Sequence, residues 1–178
     1  MQYRCSQLGG GTYSFTVNLA ERSRGLLLEY IDALRAATAK VKQQHPFHID
    51  AMVVLPDHLH AIWTLPPGDS AYPTRWMLIK AGFSRQLPKG ERINASRRSK
   101  GERGIWERRY WEHTIRDDED FCRHVDYVHF NPVKHGHVIH PADWPNSSIH
   151  RYLRHGILPA NWGTAVDAVD GGEFGEFG

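Results

Sequence analysis

Cysteine is nearly absent from this chain, with two among 178 residues. Cys5 and Cys122 cannot build a disulfide framework or a four-cysteine zinc site, and so few thiols suit a reducing compartment. No apolar run approaches the ~18 residues that a membrane span requires. The polar start Met1-Gln2-Tyr3-Arg4-Cys5 reads as no secretory signal. A cytoplasmic protein with no membrane partner is the expectation. Also missing are a Gly-x-Ser-x-Gly elbow, a Walker loop and a dinucleotide fingerprint, which removes support for serine-hydrolase and nucleotide-binding readings.

A net charge of +2 hides an uneven distribution. Between Arg75 and Arg116 stand twelve Lys or Arg against four Glu, so the remainder of the chain is acidic. Such asymmetry points to a polyanionic partner. Trp76, Phe83, Trp106, Tyr110 and Trp111 interleave with these cations, and aromatic rings among cations suit stacking on unpaired bases. The same stretch also reads as a solvated, Arg-rich linker. A hydrophobic content of 40% supports one core. One domain over residues 1–164 is expected, followed by a mobile, acidic, Gly-rich tail over 165–178.

Periodicity supplies the order of elements. Thr12 to Leu19 alternates without a fault, so it reads as a strand with Tyr13, Phe15, Val17 and Leu19 toward the core. On its other face Thr12, Ser14, Thr16 and Asn18 could line the path of that polyanion. Leu27, Tyr30, Ile31, Leu34, Ala37 and Val41 follow helical spacing and predict a helix over 25–43. Residues 49–55 and 58–65 make a hairpin turned by Pro56-Asp57. A helix over 74–87, a basic loop over 88–104, a strand within 104–115 and a helix over 118–131 complete the plan. Strand, helix, two strands, helix, strand is the order of an α+β, ferredoxin-like antiparallel sheet with helices on one face, here with an additional helix.

His58 and His60 share one face of the second hairpin strand, about 6.6 Å apart along it, while Leu59 points the other way. That is a pair of imidazoles suited to a metal ion. On the additional helix Phe121, Val125 and Val128 form an apolar seam, with His124, Tyr127 and Asn131 on its flank and His129 well away. If the seam packs on the sheet, Tyr127 and Asn131 can reach the histidine pair. Pro132 should distort the last turn around Asn131. Asp57 is most simply a turn residue, with a lesser chance of orienting an imidazole.

Four separated segments carry a resemblance: Gly10 to Leu19, Val53-Val54-Leu55-Pro56-Asp57-His58-Leu59-His60, Trp111-Glu112-His113-Thr114-Ile115-Arg116, and Tyr127 to Gly136. Together they resemble the REP-associated tyrosine transposases, a branch of the single-strand transposases in the HUH endonuclease superfamily, over nearly the whole chain up to Trp162. The resemblance implies binding of single-stranded DNA beside a hairpin and cleavage through a 5′-phosphotyrosine link. By the same resemblance Tyr127 is the nucleophile, His58, His60 and Asn131 hold Mg²⁺ or Mn²⁺, and a monomer is favoured over a dimer that exchanges its tyrosine helix. Arg85, Arg97, Arg98, Lys100, Arg108, Arg109, Arg116 and Lys134 are the candidates for DNA contacts.

Two readings from other classes stand beside this one. A ferredoxin-like sheet with aromatics also describes a non-catalytic single-strand-binding module. His58, His60 and a third histidine such as His124 would serve a zinc hydrolase.

Overall fold

The computed structural model describes residues 10–164, so the expected tail from Ala165 onward lies outside the described residues. In chain order the elements are β1 (Thr12–Asn18), α1 (Leu26–Glu29), α2 (Ile31–Gln44), β2 (His48–Val54), β3 (His58–Thr64), α3 (Tyr72–Gln86), α4 (Ala95–Ser99), β4 (Trp111–Thr114), α5 (Asp118–Lys134) and α6 (Ile149–Arg154). The four strands are ordered β2-β3-β1-β4, every neighbouring pair antiparallel. This is the ferredoxin-like arrangement. Among the described residues no helix is long and apolar enough to cross a membrane.

Each face of the sheet has its own core. Phe15, Val17 and Leu19 of the first strand region join Leu59, Ala61 and Trp63 of β3 in burial against Leu34, Ala37 and Val41 of α2 and Trp76, Ile79 and Phe83 of α3. Trp63 and Trp76 stack at 4.1 Å between ring centroids. Burying each such side chain contributes about 1.5–3 kcal/mol. The strict alternation of β1 is thus satisfied as its sequence predicts.

The opposite face is not open. Phe121, Val125 and Val128 of α5, with Ile149 and Tyr152 of α6, pack on Ala51 and Val53 of β2 and on Ile62 of β3. The apolar seam of α5 requires such cover, because an amphipathic helix has to bury its stripe. Thr12, Ser14 and Thr16 on this face are themselves buried rather than exposed along a path for a polyanion. Their hydroxyls bond internally: Thr12 Oγ1 lies 2.8 Å from Thr64 Oγ1, and Thr64 Oγ1 donates to Asp50 Oδ2 at 2.7 Å.

Boundaries depart from the expectation where one residue changes the local balance. The first helical stretch divides at Tyr30, giving α1 and α2. The strand expected within 104–115 shrinks to β4, with Trp106 making a separate bridge to Leu19. The basic loop contains the short α4, whose Asn94 side chain caps it by accepting from Arg97 N–H at 2.9 Å. Helix α5 continues past Pro132 to Lys134. Proline removes one N–H from the ladder without removing its own carbonyl, which accepts from His137 N–H at 2.9 Å. Gly136, at φ 70°, then supplies the left-handed turn that ends the helix.

Candidate active site

β3 delivers His58 and His60 to the face covered by α5, where they are 1% and 2% exposed. The two rings stand 5.0 Å apart between centroids, nearly perpendicular. Each has its Nδ1 in a hydrogen bond. His58 Nδ1–H donates to Asp57 Oδ1 at 2.8 Å, since a carboxylate only accepts. His60 Nδ1 lies 2.8 Å from Thr16 Oγ1, its ladder partner on β1. Both rings are therefore oriented, and Nε2 is the nitrogen through which each would bind an ion.

Asp57 does more than turn the chain. Burial pushes its carboxyl up, but the hydrogen bond and charge of His58 and the contact with Arg22 outweigh this and hold it below the usual carboxylate range. Arg22 Nε donates to Asp57 Oδ2 at 2.7 Å, so one carboxylate joins the turn to the histidine.

Helix α5 brings Tyr127 over this pair. The Tyr127 and His60 rings are 5.3 Å apart at 82°. Asn131, one turn further on and 0% exposed, occupies the same flank of α5. His135, which closes the helix, places its ring 5.0 Å from that of His58. Lys134 Nζ donates to Tyr127 Oη at 3.0 Å and lies 4.8 Å from the centroid of its ring. Lys134, exposed and expected to contact DNA, also reaches the tyrosine hydroxyl. Its seven-residue spacing from Tyr127, two helical turns, was the available signal.

His129 points elsewhere, as the helical wheel predicts. Its Nε2 is 2.8 Å from Ser148 Oγ and its ring packs 4.6 Å from Tyr152. Burial pushes its pKa down to about 3, so it is a neutral packing residue at physiological pH.

His124 joins a different cluster. Its ring stacks on His113 at 4.6 Å and lies 6.2 Å from Trp111. The histidine whose ring stands against that of His58 is His135, from the end of α5. His113, Asp120 and His124 do have ligand atoms within 4.8 Å of one another. The His113 and His124 planes are only 9° apart, however, so an ion would lie out of the plane of at least one ring. Asp120 serves the cluster as an acceptor instead. Its Oδ2 takes His113 Nε2–H at 2.7 Å and Arg116 N–H at 3.1 Å. These bonds, against the opposing effect of burial, keep its carboxyl well below the usual range.

The remaining DNA-contact candidates divide by environment. Arg85, Arg98, Lys100, Arg108, Arg109 and Arg116 are exposed, and Arg97 is half-buried. Arg97 Nη1 donates to Trp106 O at 2.9 Å, and Arg108 Nε to Glu102 Oε2 at 2.9 Å, so both help to hold the basic segment together. Trp76, Phe83 and Trp106, once candidates for stacking, are buried in the core under α3. Only Tyr110 and Trp111 of that series are partly exposed.

Comparison with known proteins places this geometry. No protein-family model matches the chain. A REP-associated tyrosine transposase of Escherichia coli K12 is 43% identical over 172 residues, covering 97% of this chain and 96% of that protein. A Haemophilus influenzae protein of the same designation is 44% identical over 166 residues, covering 93% of this chain and 94% of its own length. A solved structure of a REP-associated tyrosine transposase bound to a REP hairpin superposes with a TM-score of 0.80 at 43% identity, covering 99% of this chain and 98% of that one. With full-length relatives at this identity and a shared fold, the chain belongs to the REP-associated tyrosine transposases, a family of enzymes.

Proposed function

We propose that this protein is a metal-dependent, single-stranded DNA endonuclease and strand-transfer enzyme that recognises hairpin-forming repeats and cleaves through a 5′-phosphotyrosine intermediate. The observation that carries the reading is the 5.3 Å approach of the Tyr127 ring to His60 within one chain. That approach also supports a monomer acting in cis. The relative solved with a REP hairpin supports hairpin DNA as the partner, and cytoplasmic action fits such a substrate.

Two imidazoles and the side-chain amide of Asn131 form a donor set that would hold a divalent cation such as Mg²⁺ or Mn²⁺. Such an ion, when bound, polarises the scissile phosphate and stabilises charge on the departing oxygen. Asp57 and Thr16 orient the two rings for that task.

Tyr127 is the nucleophile. A phenol with pKa ~10 is weakly nucleophilic at pH 7, and the Lys134 ammonium, donating to Oη, stabilises the phenolate as its proton passes to solvent water. Oη bonds to phosphorus while the bond from phosphorus to the 3′ oxygen breaks. The 3′ oxygen takes up a proton from solvent and departs as a hydroxyl, and the 5′ phosphate stays on the tyrosine. Reversal with a different 3′-OH rejoins the strand. Exposed Arg85, Arg98, Lys100, Arg109 and Arg116 supply the backbone contacts for binding, with Arg97 and Arg108 shaping the segment that carries several of them.

His58→Ala and His60→Ala test the metal role. Each is expected to abolish cleavage of a labelled single strand while most DNA affinity remains. Undiminished cleavage by either variant in chelator-treated buffer restored with Mg²⁺ would overturn the assignment.

A further inference from the structure

We propose that Trp111 is a stacking platform for one unpaired nucleobase of the DNA strand held at Tyr127. The inference rests on the function proposed above and adds a base-binding subsite to it.

β4 is an edge strand, paired only with β1, and Trp111 opens it. Across the ladder Trp111 is the partner of Thr16, and Thr16 is in turn the partner of His60. Paired residues project from the same face, so His60, Thr16 and Trp111 form one row from the site to the sheet edge. Two strand spacings, roughly 10 Å, separate the ends of that row. A nucleotide next to the scissile phosphate spans such a distance.

Trp111 belongs to neither apolar core, and it remains partly exposed. What it has is a mount. Its ring lies 7° from the plane of His113 and 16° from that of His124, and the two histidines stack on each other at 4.6 Å. Asp120, 3% exposed, fixes the pair: it accepts from His113 Nε2–H, while its own backbone carbonyl lies 2.8 Å from His124 Nδ1. Burial pushes the His124 pKa down, which keeps this ring a neutral packing partner. Three near-parallel rings held by one buried carboxylate give an indole of fixed orientation at an open sheet edge. Exposed Arg109 and Arg116 flank β4 and suit the phosphates on either side.

A base inside a duplex has both faces covered by its neighbours, so only a splayed, single-stranded base can use this surface. Stacking accepts any of the four bases, and the subsite therefore supplies affinity and position rather than sequence.

The test uses full-length Tyr127→Phe protein, so that binding is read without cleavage, and single-stranded oligonucleotides beside a hairpin, each with one abasic position. Fluorescence anisotropy should find a position near the cleavage point at which the abasic strand binds about 10-fold more weakly. Trp111→Ala and Trp111→Leu should each lose a similar factor on the unmodified strand, and lose nothing more on that abasic strand. Trp111→Phe should retain most of the affinity. The Leu variant keeps apolar bulk at the edge, and equal melting temperatures would show that folding is intact. If the parent binds the strand but Trp111→Leu binds it equally well, or if its loss adds to the abasic loss at every position, the subsite is refuted while the transposase reading stands. If the parent protein binds no single-stranded DNA, both fall together.

Discussion

Lys134 Nζ donates a hydrogen bond to Tyr127 Oη at 3.0 Å, from two helical turns further along the same helix. The proposed nucleophile is thus delivered together with a positive charge by one rigid element. Lys134→Ala should slow formation of the DNA adduct by about 10²-fold and change DNA affinity little. Lys134→Arg should recover part of the rate. Single-turnover kinetics separates the two quantities, and an Ala variant weakened only in binding would return Lys134 to the role of a backbone contact.

Thr16 holds His60 by the bond between Oγ1 and Nδ1 at 2.8 Å. Thr16→Val preserves shape and removes that bond. The expected result is an about 10- to 100-fold rise in the metal concentration required for cleavage, with a saturating rate close to that of the parent. Titration of cleavage against Mn²⁺ reads this directly. An unchanged titration would mean that the strand alone orients His60.

The basic segment should be sensitive to acid. Arg103 donates to the carboxylate of Glu91 and to the carbonyls of Ser84, Leu87 and Pro88, tying the loop to the end of α3. This hydrogen bond, against the effect of burial, lowers the Glu91 pKa from 4.5 to about 2. A depressed carboxylate stabilises the fold fully above its unfolded value and loses that contribution as pH falls from about 4.5 toward 2. Glu91→Gln should cost about 1 kcal/mol at pH 7, a melting shift of about 2–4 °C. The gap between variant and parent should close as the pH approaches 2.5, as thermal melts across that range would record.

Ser148 separates packing from chemistry on α5. Its Oγ accepts from Met52 N–H at 2.8 Å and meets His129 Nε2 at 2.8 Å. Ser148→Ala should destabilise the protein by about 1–3 kcal/mol and leave the cleavage rate of the folded fraction unchanged. A specific loss of cleavage without loss of stability would place His129 in the reaction.

The strands and the face of the histidine pair were legible because period-two alternation is strict in β1 and holds through His58-Leu59-His60 at the start of β3, with no glycine or proline inside either strand. The flank of α5 was legible as well, since a seam of Phe121, Val125 and Val128 fixes the rotation of the helix and so the direction of Tyr127. What alternation could not reveal was the fate of the second face. A row of Thr and Ser reads as solvated, yet Thr12 and Thr16 are buried and their hydroxyls bond within the fold. The internal bonds of the basic segment were equally hidden. Arg97 and Arg108 were read only as contacts for a polyanion, yet they also bond Trp106 O and Glu102, and Arg103 ties the loop to α3. Partners separated by irregular backbone leave no period to detect.

The central claim is covalent chemistry at Tyr127, and peptide mapping of a trapped adduct tests it most directly. Protein incubated with single-stranded hairpin DNA and Mg²⁺ should yield a product that survives denaturation, with the 5′ phosphate attached to Tyr127. Tyr127→Phe should bind the same DNA and form no adduct. Attachment at Tyr110, Tyr13 or any other residue, or cleavage by the Phe variant, would contradict the account.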